Sequence, residues 1–250
     1  MNKILVIGEI CEDVFIYGKI NRICPEAPVP IFNPSYEVKN PGMAGNVIRN
    51  LESISDQIEI SSIHQKQIIT KTRIVDEKSN QMIVRIDDGE QNGVEPLLLI
   101  SPSNMEKIET YDCVIISDYD KGFLPKKMIE KISYVSKLSI LDSKKKLDFE
   151  TIQNCTFVKL NETEYNNNRE LVDNNLEKFI ITLGQKGCMY NQVVYPSPNP
   201  KTTIDVSGAG DTFVASFALK YLETNDIVTS INYANEMSSI VVSKKGVATP

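Results

Sequence analysis

A chain of 250 residues suits one large α/β domain or two small ones, and 41% hydrophobic with 24% charged residues is ordinary for a soluble globular protein. A net charge of −6 argues against nucleic acid as a partner, because phosphate backbones attract basic faces. No apolar run approaches the roughly 18–20 residues of a membrane helix, and the five cysteines are scattered without CxxC spacing, against both a zinc site and a disulfide framework.

The opening MNKILVIGEI meets a charge at Glu9, too soon for the apolar core and cleavage site of a signal peptide. A cytoplasmic protein with reduced thiols and no membrane partner is expected. Ile4–Ile7 is a continuous apolar run, the mark of a strand buried on both faces. Val14–Val38 is rich in β-formers and carries Pro25, Pro28, Pro30 and Pro34. The only histidine, His64, is expected at the surface. Ile68–Asp88 alternates polar and apolar residues about a turn at Glu77–Asn80, which predicts a hairpin with one wet face. Together, stretches 14–38 and 68–90 read as a small β-lid on a single domain spanning 1–250.

From about residue 111 the rhythm changes. Apolar strands are expected at Cys113–Ser117, Leu138–Leu141, Thr156–Leu160 and Phe179–Leu183. Between the first two, Met128, Ile129, Ile132, Val135 and Leu138 follow helical spacing, with Pro125 where a first turn tolerates it. Alternation of this kind means a mostly parallel sheet with helices on both faces.

The stretch TTIDVSGAGDTFVASFALKYL, Thr202–Leu222, carries the chemistry. Phe213, Phe217 and Tyr221 share one side of a helix whose start falls near Gly208–Asp211. The first amides of a helix lack internal partners, and small residues let an anion reach them, so Gly208, Ala209 and Gly210 form a candidate anion hole. Asp211 is either an N-cap or a base beside bound phosphate; on spacing alone, capping stands ahead. GxxxxGK[ST] is absent, and GxGxxG fails because Phe213 stands at the third glycine position.

DVSGAGDTF closely resembles the D-T-x-G-A-G-D signature of the ribokinase-like (PfkB) carbohydrate kinases, and five further segments match that family in order. ILVIGEICED is similar to its first strand, ending in the sugar-holding aspartate, here Asp13. NPGMAGNVIRNL is similar to G-G-x-x-x-N, here Gly42 and Asn46, with Met43 replacing the second glycine. NETE resembles N-x-x-E, here Asn161 and Glu164. ITLGQKG resembles the strand-to-turn at the ATP phosphates, here Thr182, Gly184 and Gly187. YANEMSSIVVSKKGVATP resembles the helix and loop near the adenine, here Asn235 and Gly246. Within the family, NRICPEAPVPIF, ITKTRIV, VRIDD and SDYDKGFL are similar to segments of the D-glycero-D-manno-heptose 7-phosphate kinases, with Cys24 replacing serine.

The resemblance implies a ribokinase-like three-layer sandwich with a β-lid, and phosphoryl transfer from ATP to the anomeric C1 hydroxyl of a heptose 7-phosphate. It implies Asp211 as base and Asp13, Gly42, Asn46, Asp118 and Lys121 at the substrate. Arg85 stands first among the candidates for the sugar's phosphate, ahead of Arg22, Lys71, Arg73 and Lys121, because Arg suits bidentate phosphate contact. Glu164 would meet Mg2+ through water, with capping as the alternative for the Asn161–Glu164 pair. Asp205 would help hold K+. A homodimer through the lid is implied as well. Another kinase of the same fold, for a ketose, pentose or nucleoside, and a shortened non-catalytic binding protein are the alternatives. The second is motivated by a strand–helix unit that is missing after residue 63.

Overall fold

The computed structural model describes residues 1–91, 93–98, 102–198, 206–244 and 248–250. In chain order it runs β1 (Asn2–Gly8), β2 (Ile10–Ile23), β3 (Pro30–Met43), α1 (Ala44–Ile54), β4 (Ile58–Ile63), β5 (Thr70–Asp76), β6 (Met82–Asp88), α2 (Pro102–Ile108), β7 (Cys113–Asp118) and α3 (Lys126–Val135). There follow β8 (Ser139–Ser143), α4 (Phe149–Ile152), β9 (Phe157–Asn161), α5 (Glu162–Asn167), α6 (Arg169–Asp173), β10 (Phe179–Thr182), β11 (Cys188–Tyr190), β12 (Val193–Tyr195), α7 (Ala209–Thr224) and α8 (Ile227–Val241).

An eight-stranded sheet has the order β12-β11-β10-β9-β8-β7-β1-β4, parallel from β4 to β10 and antiparallel at β11 and β12. The alternation within β1 divides its side chains between two cores. Leu5 and Ile7 pack with Met128, Ile129 and Ile132 of α3; Ile4 and Val6 pack with Val47 and Leu51 of α1 and with Phe213 and Phe217 of α7. Burial on both faces is why these strands read as continuous apolar runs. Phe213, Phe217 and Tyr221 stack along α7 as their spacing predicts, with centroids 6.4 and 5.8 Å apart, and the Phe157 edge closes on Phe217 at 5.2 Å.

A second, four-stranded sheet, β3-β2-β5-β6, forms the lid. Its first pair is longer than the expected 14–38, and the hairpin turns at residues 77–79. The expected wet and dry faces are not found on β6, which is exposed along nearly its whole length. It is the outer strand of a lid whose own core, among the described residues, is Phe15 and Val75 with Tyr17 packed against them, too small to cover it. Asp13 is also displaced from expectation: it lies within β2 of the lid, not at the end of β1.

After β4 the chain passes through residues 64–69 straight into lid strand β5, so the main sheet ends at β4. Buried Gln65 secures this passage, accepting from Ile10 N at 3.0 Å and donating to Ile10 O at 2.6 Å. His64 is exposed, and all five cysteines are free. Among the described residues no helix is long and apolar enough to cross a membrane.

Candidate active site

The carboxyl ends of β8, β9 and β10 and the first turn of α7 enclose a cleft of about 500 Å³. Ligands of open α/β sheets collect at such strand ends. Asn161, Thr182, Gly184, Gly187, Gly208, Ala209, Gly210, Asp211 and Asn235 all line it, so segments far apart in sequence share one wall. Gly187 has φ +91, and a Cβ there would overlap the carbonyl of Tyr195, so the turn needs glycine.

Asp211 is not the helix cap. Gly208 takes that position in the left-handed region at φ 82. The Asp211 carboxylate instead accepts from Tyr119 Oη at 2.6 Å on Oδ1 and from Asn46 Nδ2 at 2.8 Å on Oδ2. Its pKa is pushed up to about 6, chiefly by burial; the bonds from Asn46 and Tyr119 pull it down, Asp142 adds to the rise and Lys159 opposes it. Asn46 is held in turn: Thr212 Oγ1 donates to Asn50 Oδ1 at 2.8 Å, and Asn50 Nδ2 donates to Asn46 O at 2.7 Å. A buried polar chain therefore ties α1 to α7 at the acid.

Lys159 is buried and donates to both oxygens of Asp142, at 3.2 and 3.1 Å. A Cβ on Gly210 would come within 2.9 Å of Lys159 Nζ, so the ammonium lies directly against the first turn of α7. Burial works to lower the lysine's pKa, but Asp142, Glu164 and Asp211 together outweigh it and the net shift is upward. The cleft thus joins a cation and helix-start amides on one side of a carboxylate able to accept a proton.

The profile of the pfkB family of carbohydrate kinases matches residues 54–250. The chain belongs to that family. The bifunctional protein HldE of Helicobacter pylori strain HPAG1 is 32% identical over 300 residues, covering 99% of this chain and 64% of that protein. That alignment is longer than this 250-residue chain, so the relative carries residues that are absent here. A Thermotoga maritima ribokinase superposes with a TM-score of 0.73 at 15% identity, over 99% of this chain and 95% of that one. The Arabidopsis thaliana ribokinase complexed with ribose and ATP gives 0.69 at 14% identity, over 98% and 94%. The fold is ribokinase-like.

In this kinase the remaining expected residues lie around the cleft. Asn161 and Glu164 form a full capping box on α5: Glu164 N donates to Asn161 Oδ1 at 2.8 Å and Asn161 N to Glu164 Oε2 at 2.7 Å. Glu164 Oε1 faces Asn161 Nδ2 and Lys144 Nζ at 2.8 and 3.3 Å. Asp13 pairs with Arg73, and Gly42 leaves room for it, since a Cβ there would overlap Asp13 Oδ2. Arg85 lies directly across from Arg73 on the same lid face, half exposed, with Asp87 taken bidentately at 2.8 and 2.9 Å. Lys121 donates to Glu90 at 2.6 Å.

Asp118, expected at the substrate, is fully buried, and Ser143, Lys145 and the amide of Asp120 take its oxygens. These bonds fix the loop after β7 around it. Asp205 and Gly246 lie outside the described residues.

Four residues that line or shape the site escape motif reading: Glu9, Tyr119, Asp142 and Lys159. Glu9 is fully buried and accepts the amides of Tyr119, Lys121 and Phe123 at 2.9, 3.1 and 3.2 Å, so it moulds the loop that carries Tyr119. The available signal was a charge inside an apolar strand: Lys159 in TFVKL and Asp142 in SILDS are costly to bury unless paired.

Proposed function

We propose that this kinase transfers the γ-phosphoryl group of Mg-ATP to the anomeric C1 hydroxyl of D-glycero-D-manno-heptose 7-phosphate. The observation that carries the reaction is Asp211, buried beside the Gly208–Gly210 turn with both oxygens oriented from other elements. When ionised it takes the proton of the attacking hydroxyl. The amides at the start of α7 and the Lys159 ammonium stabilise charge on the moving phosphoryl. Asp13 and Asn46 hold sugar hydroxyls, while Asn161, Thr182, Gly184, Gly187 and Asn235 line the nucleotide half.

Magnesium arrives on the nucleotide and keeps much of its water shell. This suits a site where no group of three His, Cys, Asp or Glu among the described residues could hold a metal. Glu164, already committed to its cap and Lys144, meets the ion through water. A potassium ion near Asp205 belongs to the same reading. The choice of sugar rests on NRICPEAPVPIF and its companion segments.

ADP release measured with this heptose phosphate, fructose, ribose and a nucleoside tests the proposal. Turnover concentrated on the heptose phosphate supports it. A higher rate on an unphosphorylated pentose or nucleoside replaces the substrate. Silence on every sugar, with ATP still bound, makes the chain a binding protein.

A further inference from the structure

Lys71 of the lid and Lys121 of the loop after β7 converge on a single acid, Glu90. Lys121 Nζ donates to Glu90 Oε2 at 2.6 Å, whereas Lys71 Nζ stands 3.8 Å from Oε1, beyond hydrogen-bond reach. Glu90 Oε1 is buried and accepts no hydrogen bond among the described residues. The neighbouring acids are already committed: Asp13 to Arg73, and Asp87 to Arg85. Glu90 follows Gly89, whose φ of +84 turns the chain off β6. The place is close to the acceptor site. Lys71 is the register partner of Asp13, Lys121 lies two residues from Tyr119, and Lys71, Arg73, Asp13 and Asp211 all act electrostatically on the thiol of Cys11.

We propose that Glu90 is a built-in stand-in for the phosphate of a phosphorylated sugar, holding the place between Lys71 and Lys121 that the substrate's phosphate takes. The inference rests on the reading of a sugar phosphate as substrate. A carboxylate brings one negative charge; a phosphate monoester brings about 1.5 to 2 and three strong acceptor oxygens. The monoester can satisfy both ammonium groups at once, which Glu90 does not. Its arrival therefore displaces Glu90, and an unphosphorylated sugar has nothing with which to do so. Glu90 sets specificity by making the empty pocket resist every ligand that lacks a phosphate.

The test is a calorimetric titration of inorganic phosphate, with a non-hydrolysable ATP analogue saturating the nucleotide cleft. If the stand-in must be displaced, the apparent affinity is reduced by the fraction of protein in which it remains. Glu90→Gln should bind phosphate about tenfold tighter than wild type, and adding Lys121→Gln should abolish the gain. Unchanged or weaker binding by Glu90→Gln overturns the inference, as does a gain that survives loss of Lys121. If sugar phosphates prove not to be turned over, the substrate reading falls, and the titration still decides the role of Glu90.

Discussion

Tyr119 Oη donates to Asp211 Oδ1 at 2.6 Å, a bond that joins the loop after β7 to the first turn of α7. It places a phenol, itself shaped into position by buried Glu9, on one oxygen of the acid while Asn46 holds the other. The pair makes Tyr119 a positioning residue for proton abstraction, and it gives the first prediction a sign.

Tyr119→Phe removes a donor that favours the ionised carboxylate, so the pKa of Asp211 rises above about 6. Asp211 must be ionised to act, so activity is lost as pH falls through that pKa. The acid limb of kcat/KM should move to higher pH, with a larger loss at pH 6 than at pH 8. Asp142, Lys159, Asn46 and the Cys11 thiol still face the acid in the variant. A limb that stays in place would reduce Tyr119 to packing.

Asp211→Asn should lower turnover by roughly 10²–10⁴-fold, the usual weight of a general base, with ATP affinity nearly unchanged. Its stability should move the other way. The folded pKa is raised from 3.8 to about 6, so the carboxylate's contribution favours folding below the unfolded value and is lost as pH rises through 6. At neutral pH the charge costs on the order of 2–3 kcal/mol. Asn removes that cost, and Asn46 and Tyr119 can still bond to it. Thermal melts should show a higher Tm for the variant at pH 8 and a gain that shrinks toward pH 4.

Lys159→Met leaves Asp142 buried without its partner and should cost about 3–5 kcal/mol. Combining it with Asp142→Leu replaces the pair with apolar groups and should recover much of the stability in urea melts. Activity should stay lost in both variants, because the ammonium at Gly210 is gone. Recovery of activity together with stability would assign the pair a purely structural role.

Gly42→Ala forces a methyl onto Asp13 Oδ2. The carboxylate must shift, so KM for the sugar should rise about tenfold or more, equivalent to about 1.4 kcal/mol of lost binding, while KM for ATP hardly moves. Steady-state kinetics with each substrate varied in turn separate the two effects.

The edge strand β6 of the lid carries exposed Met82, Val84 and Ile86 on alternate positions. Unpaired edges and apolar faces of this kind favour association. The homodimer through the lid that the family resemblance implies should be seen by sedimentation, and Ile86→Lys should shift it toward monomer.

Periodicity in the sequence made the sheet strands and α7 legible, because burial on both faces leaves unbroken apolar runs such as Ile4–Ile7 and CVIIS. Motif order found the walls of the cleft, from Asn161 to Asn235. Hairpin alternation misled at β6, since a period of two says nothing about whether a partner layer exists. The partners of Asp118 were not legible either, because a polar residue at a strand end can face open solvent or a buried polar knot, and only the fold brings Lys145 and Ser143 to it.

By itself, the sequence determined the alternation of strands and helices, the glycine-lined start of α7 and the family those features belong to. These are local properties, written in residues a few positions apart. Tertiary structure alone decided that Asp211 is held by Asn46 and Tyr119, that Lys159 lies against Gly210, and that Glu90 stands between a lysine of the lid and a lysine of the loop after β7. Each of these joins segments with no sequence relation, through burial that makes pairing obligatory for every charge. The pattern of residues names the acid; the packing around it sets its proton affinity.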